Sequence, residues 1–96
     1  LPKNIQSSSK IKQYFYVYML KTISKNKKKT YVGYTNNLKA RVYKHNSNKG
    51  AKSTKGYKWI LIFKKKFLNK SNAMRYEYKL KKNRILRDQI IRNFKK

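Results

Sequence analysis

The stretch Tyr14-Phe15-Tyr16-Val17-Tyr18-Met19-Leu20 decides the fold. It is aromatic and β-branched, carries no charge, and is broken by neither Gly nor Pro. Such a run, apolar at odd and even positions alike, reads as a strand buried on both faces. Working outward, Lys25-Asn26-Lys27 reads as a turn, and Thr30 to Tyr34 as a second, antiparallel strand. Together they make a hairpin with a basic tip. Thr35-Asn36-Asn37 offers side-chain oxygens to free backbone N–H groups and so starts a helix, from about Leu38 to His45. The loop Asn46-Ser47-Asn48-Lys49-Gly50 ends that helix, and a basic loop runs through Ala51-Lys52-Ser53-Thr54-Lys55-Gly56. Trp59 to Phe63 reads as a third strand. Ser71 or Asn72 is expected to cap a second helix, about Ala73 to Lys82, and a third helix is expected over Arg84 to Phe94. The order β-β-α-β-α-α gives an α+β fold: a small three-stranded, mainly antiparallel sheet flanked by helices. No repeat and no linker divides residues 14–96, which read as one domain. Leu1 to Gln13, with Pro2, Ser7, Ser8, Ser9, three lysines and no acid, reads as a basic flexible arm or the remnant of a basic targeting sequence.

Composition narrows the function. Of 96 residues, 28 are Lys or Arg and two are Asp or Glu, a formal charge of +26. Hydrophobic residues at 39% and aromatics at 15% are too many for a disordered polycation, so a folded body is expected. Self-repulsion on that scale costs free energy, and a polyanion removes the cost. Duplex DNA offers one phosphate charge per roughly 1.7 Å of axis. A merely solubilising surface mixes both signs. Acidic membrane also attracts positive charge, but apolar runs such as Trp59-Ile60-Leu61-Ile62-Phe63 fall far short of the ~20 residues a spanning helix needs. The expected partner is therefore nucleic acid and not a membrane. The chain is expected as a monomer, or as a dimer bridged by DNA, because its charge opposes self-association. The absence of cysteine excludes disulfides, thiolate zinc sites and cysteine nucleophiles. It is compatible with cytosol, nucleus, virion or organelle alike.

Polar groups that break the apolar pattern are the candidates for chemistry. Leu38 and Val42 are spaced i,i+4 and should anchor the first helix. Arg41 and His45 share the same spacing on a neighbouring stripe, beside the strand that carries Tyr31. Spacing alone equally allows two solvated surface residues. Glu77, four residues after Ala73 and three before Leu80, falls on or beside the apolar stripe of the second helix. A carboxylate there is costly without a counter-charge or a metal. An i,i+4 pair with Lys81, worth a few tenths of a kcal/mol, would also answer the need. Most of the nine tyrosines should fill the core with their hydroxyls at its rim. Tyr18 and Tyr31 differ, since paired strands of one hairpin aim both at a common cleft. A phenol ordinarily titrates near pH 10, and a dense positive field with a metal nearby is expected to lower that value.

Taken in order, Tyr16-Val17-Tyr18, Tyr31-Val32-Gly33, Thr35, Leu38, Arg41, His45 and Glu77 resemble the GIY-YIG nuclease domain. Asn48-Lys49-Gly50-Ala51-Lys52 with Thr54 and Gly56, followed by Ala73, Glu77 and Lys81-Lys82, is similar to its small single-domain branch. The long hairpin, Gly50-Ala51 and Trp59 are also similar to the catalytic domain of Slx-type branched-DNA nucleases. The resemblance covers about Tyr14 to Lys82. It implies a metal-dependent endonuclease that hydrolyses DNA phosphodiester bonds, at branched or flapped structures, and it alone sets DNA ahead of RNA as the partner. By the same resemblance, Tyr31 is the general base that activates water, and Tyr18 positions the water or the scissile phosphate. Arg41 stabilises charge on the phosphoryl oxygens, His45 assists or relays protons, and Glu77 holds one divalent cation, Mg²⁺ or Mn²⁺. Lys44, Lys52 and Lys55 lie closest in sequence to this cleft and are expected to hold the nucleic-acid backbone. Two positions depart from the family pattern: Tyr16 stands where the first motif has glycine, and Asp88-Gln89 where many members have asparagine. Slx-type proteins also carry a zinc-binding C-terminal module, for which these cysteine-free residues supply no thiolates. The rival expectation is a non-catalytic RNA- or DNA-binding protein on the same fold, such as a ribosomal or nucleoprotein component. The joint presence of Tyr18, Tyr31, Arg41, His45 and Glu77 favours the enzyme.

Overall fold

Residues 13–23 and 28–95 are described in the computed structural model of the protein. The expected turn at Lys25-Asn26-Lys27 and, apart from Gln13, the expected N-terminal arm lie outside them. Strands β1 (Phe15–Thr22), β2 (Thr30–Thr35) and β3 (Trp59–Phe67) form an antiparallel sheet of order β2-β1-β3. β1 therefore lies in the middle, which is why Val17, Tyr18, Met19 and Leu20 are buried in succession rather than alternately. Tyr18 pairs with Gly33 and Leu20 with Tyr31, so these four positions share one face.

β3 runs four residues beyond the expected Phe63. The backbone of Lys64, Lys65 and Lys66 pairs with Tyr18, Val17 and Tyr16, while the three side chains stay exposed. Charge at those positions marks solvent on their side chains, not the end of the ladder. A register shift between Met19 and Leu20 absorbs the mismatch between the two halves of that pairing.

Helix α1 (Leu38–Asn46) covers one face of the sheet, and α2 (Lys70–Lys82) with α3 (Arg84–Lys95) covers the other. The α1 face buries Tyr18, Leu20 and Trp59, with Tyr31, Leu38, Val42 and Leu61 packed around them. The opposite face buries Val17, Met19 and Val32 against Ala73 and Leu80 of α2 and Ile90 of α3. Each large apolar side chain so buried contributes roughly 1.5–3 kcal/mol. Asn37 caps α1 by accepting from the Ala40 N–H at 3.1 Å. The second helix begins earlier than its sequence signals suggest. Asn69, not Ser71 or Asn72, is its cap and accepts from the Asn72 N–H at 2.8 Å, which leaves Ser71 and Asn72 inside the first turn. Asn83 starts α3 in the same way, accepting from the Leu86 N–H at 3.0 Å.

Candidate active site

Tyr18 is fully buried in the central strand, with its hydroxyl over the neighbouring strand β2. A Cβ on Gly33 would lie 2.6 Å from that hydroxyl and 3.0 Å from Cε2 of Tyr31. The glycine of Tyr31-Val32-Gly33 is therefore a clearance: it lets one phenol cross the strand next to another. The rings of Tyr18 and Tyr31 lie 6.3 Å apart, and the ring of His45 lies 5.9 Å from the first and 4.8 Å from the second. The two phenols do converge with the imidazole. Gly50 plays the matching part for His45, since a Cβ there would fall 2.5 Å from Nδ1.

Hydrogen bonds fix the protonation of this cluster. The Thr54 hydroxyl donates to the Ala51 carbonyl at 2.8 Å, so its oxygen is left to accept from His45 Nδ1–H at 2.9 Å. His45 Nε2 then carries no proton and accepts from the Tyr18 hydroxyl at 2.9 Å. Burial, followed by the charge of Arg41, holds His45 below the ordinary imidazole range, so the ring is neutral at neutral pH. Tyr18 departs from the sequence expectation. Burial first, and then Tyr31, raises its pKa far above that of a free phenol, and the lowering by Arg41 does not offset them. Tyr18 is thus a protonated donor; its phenolate is suppressed because the positive field reaches a group that water does not. No hydrogen bond to another described residue ties up the hydroxyl of half-buried Tyr31.

Arg41 and Glu77 complete the setting from α1 and α2. Both bear on the titration of the Tyr18 hydroxyl, the positive charge of Arg41 lowering its pKa and the negative charge of Glu77 raising it. Arg41 is half-buried and His45 buried, which sets aside the picture of two solvated residues. The alternative reading of Glu77 is realised in part: its Oε2 lies 3.4 Å from Lys81 Nζ, with the carboxylate side chain 18% exposed. Among the described residues no three His, Cys, Asp or Glu groups gather around a common point. One rim carboxylate still suits Mg²⁺, a hard ion that keeps several waters and takes one or two carboxylates plus substrate phosphate oxygens. Glu77 fits that role; a site built wholly of protein ligands does not.

Lys44 extends from α1 next to His45, and Lys52 and Lys55 flank Thr54 on a single 3-10 turn; all three are exposed. Asp88 pairs with Arg84 on α3 at 3.9 Å. Thr54 has no role in the sequence reading beyond its place in the motif, yet it is fully buried and sets the tautomer of His45. Trp59 supports it, donating from its indole to the Thr54 carbonyl at 3.0 Å. Neither function has a sequence signal, because both bonds join a loop to a residue whose periodicity already explains it as core or turn.

The buried Tyr18–His45 pair thus lies against a three-stranded sheet, with Arg41 on one flanking helix and Glu77 on another. Residues 14–85 match the GIY-YIG catalytic domain, and the chain belongs to that family. Within it, the chain is similar to UPF0213 proteins. It is 45% identical over 67 residues to one from Oceanobacillus iheyensis, covering 69% of this chain and 74% of that one. It is 43% identical over 67 residues to another from Staphylococcus haemolyticus, covering 69% and 78%. A solution structure of UPF0213 protein BH0048 from Bacillus halodurans is 36% identical, covers 81% of this chain and 82% of that one, and superposes with a TM-score of 0.47.

Proposed function

We propose that the protein is a metal-dependent endonuclease that hydrolyses DNA phosphodiester bonds, with branched or flapped DNA as its preferred substrates. The observation that supports this reading best is the setting of the Tyr18 hydroxyl. It is held by His45, faced by Tyr31, and subject to one cation, Arg41, and one anion, Glu77. A structural tyrosine needs none of these charges.

In this reading Tyr31 is the general base that accepts the proton of the attacking water. Tyr18 keeps its own proton, donates it to His45 Nε2, and by that bond holds both rings in place. Arg41 neutralises charge growing on the non-bridging phosphoryl oxygens. Glu77 holds Mg²⁺ or Mn²⁺, which when bound neutralises the leaving oxygen. For that, Lys81 must release the carboxylate and turn to phosphate. Lys44, Lys52 and Lys55 hold the backbone, and such contacts carry no base information.

The test is hydrolysis of linear, flapped and branched DNA, and of RNA, with Mg²⁺ or Mn²⁺. Glu77→Gln is expected to bind DNA as before and to cut ~100–1000-fold more slowly. Tyr31→Phe should lose comparable rate; full activity would remove the phenol from the mechanism. If wild type and Glu77→Gln both bind and neither cuts, the non-catalytic binding protein is the better reading. The observation that favours that alternative is the Lys81–Glu77 pair, which occupies the metal-binding carboxylate.

A further inference from the structure

Two cationic pockets adjoin the candidate centre. One, of about 340 Å³, is lined by Phe15, Tyr34, Thr35, Asn36, Arg41 and Lys70. The other, of about 280 Å³, is lined by Thr30, Tyr31, Val32, Lys81 and Arg87. Each shares one residue with the centre, Arg41 in the first and Tyr31 in the second. They lie at opposite ends of β2, and Tyr31 to Thr35 spans ~14 Å at the rise of an antiparallel strand.

Helix α2 follows the same line in the opposite direction. Lys70, at its start, lines the pocket at the end of β2, and Lys81, near its end, lines the pocket at the start. Lys70, Glu77 and Lys81 are spaced by close to whole numbers of helical turns, so they share one stripe, and from first to last they span ~17 Å. The two lengths agree. Glu77, seven residues after Lys70 and four before Lys81, falls between the two lysines on that stripe, and the Tyr18 hydroxyl reaches β2 at Gly33, between the two ends of the strand. The groove between β2 and α2 therefore reads cation, acid, cation along its length, with the candidate centre at the acid. Arg87 adds a guanidinium at one end. Its Nη1 is bound to the Leu80 and Lys81 carbonyls, which fixes the group against the C-terminus of α2.

Separate anions would need only one such pocket. Two pockets in line, one on each side of a centre that itself takes phosphate, fit successive phosphates of a single chain. We propose that the groove between β2 and α2 is a track for the backbone of one DNA strand. Lys70 holds the phosphates on one side of the central one, in the pocket that Arg41 joins to the centre, and Lys81 with Arg87 holds those on the other. The assignment of the central phosphate rests on the nuclease reading; the two flanking contacts do not.

The probe is a short single-stranded oligothymidylate, its affinity measured against salt without divalent metal, so that nothing is cut. Lys70→Gln and Lys81→Gln are each expected to lower the magnitude of the log–log salt slope by about 0.7, the value per phosphate contact on a single strand. Lys79→Gln removes an equally charged, exposed lysine from the opposite side of the same helix and should leave the slope unchanged. Equal effects at all three positions, or none at Lys70 and Lys81, would overturn the track. Thermal melts of each variant establish that the fold is retained. A protein with the expected slopes that hydrolyses nothing keeps the track and loses the nuclease. A protein that cuts DNA while Lys70→Gln and Lys81→Gln retain the wild-type slope keeps the nuclease and loses the track.

Discussion

His45 is the single histidine of a cysteine-free chain, and it is almost wholly buried in its neutral form. Its bond from Tyr18 requires an unprotonated Nε2, and burial lowers its pKa below the ordinary 6.5. The unfolded chain therefore binds this proton more readily than the folded one. Stability is complete above about pH 6.5 and falls as the pH drops through that value, because protons draw the protein toward the unfolded state. The melting temperature of the wild type is expected to decline from pH 7 to pH 5, and that of His45→Gln to start lower and stay level. A wild type equally stable at both pH values would contradict the neutral, buried imidazole. Sequence spacing brings Arg41 to His45, and the paired strands bring Tyr18 to Tyr31. It does not reveal that Tyr18 gains rather than loses affinity for its proton, since the field of 28 basic residues is visible in composition and the exclusion of water from one ring is not.

Among the elements, the hairpin and the helix order were legible because apolar periodicity reports them directly. Boundaries were less so. The start of α2 depends on which of several polar residues captures a backbone N–H, and the end of β3 depends on ladder bonds that three exposed lysines do not interrupt. Least legible was how α1, which carries Arg41 and His45, is fixed at its C-terminal end. Asn46, its last residue, accepts from the Trp59 N–H at 2.6 Å and donates to the Trp59 carbonyl at 3.1 Å, so a side chain joins α1 to the start of β3 as a strand would. Two such bonds, each contributing about 0.5–1.5 kcal/mol, tie the helix to the sheet. Asn46→Ala is thus expected to destabilise the domain by roughly 1–3 kcal/mol in chemical denaturation. If α1 carries the catalytic groups, hydrolysis should fall more than binding does, because Arg41 and His45 lose their alignment. A variant of unchanged stability would show that packing of Leu38 and Val42 alone positions the helix.

At the scale of the whole molecule, the charge of +26 sets the conditions under which everything else operates. The acids offer little relief: Glu77 and Asp88 each pair with a cation of their own helix, at 3.4 and 3.9 Å, and both pairs lie at the surface. No described helix is long and apolar enough to cross a membrane. Self-repulsion acts over about 30 Å at 0.01 M salt and about 8 Å at 0.15 M, which is the difference between reaching across this domain and reaching a near neighbour. The free protein should therefore melt higher as salt is added, the reverse of its affinity for DNA. At low salt, single-stranded DNA present at about 100 times its Kd should add about 2.7 kcal/mol, since it binds the ordered cations of the folded state better than the scattered ones of the unfolded chain. In a domain of this size that corresponds to a rise of roughly 10–20 °C, diminishing as salt restores the free protein and weakens the complex together. Differential scanning fluorimetry across salt, with and without DNA, reads both trends. A melting temperature indifferent to DNA at low salt would mean that the positive surface is not arranged for a polyanion, and the groove between β2 and α2 would have no strand to hold.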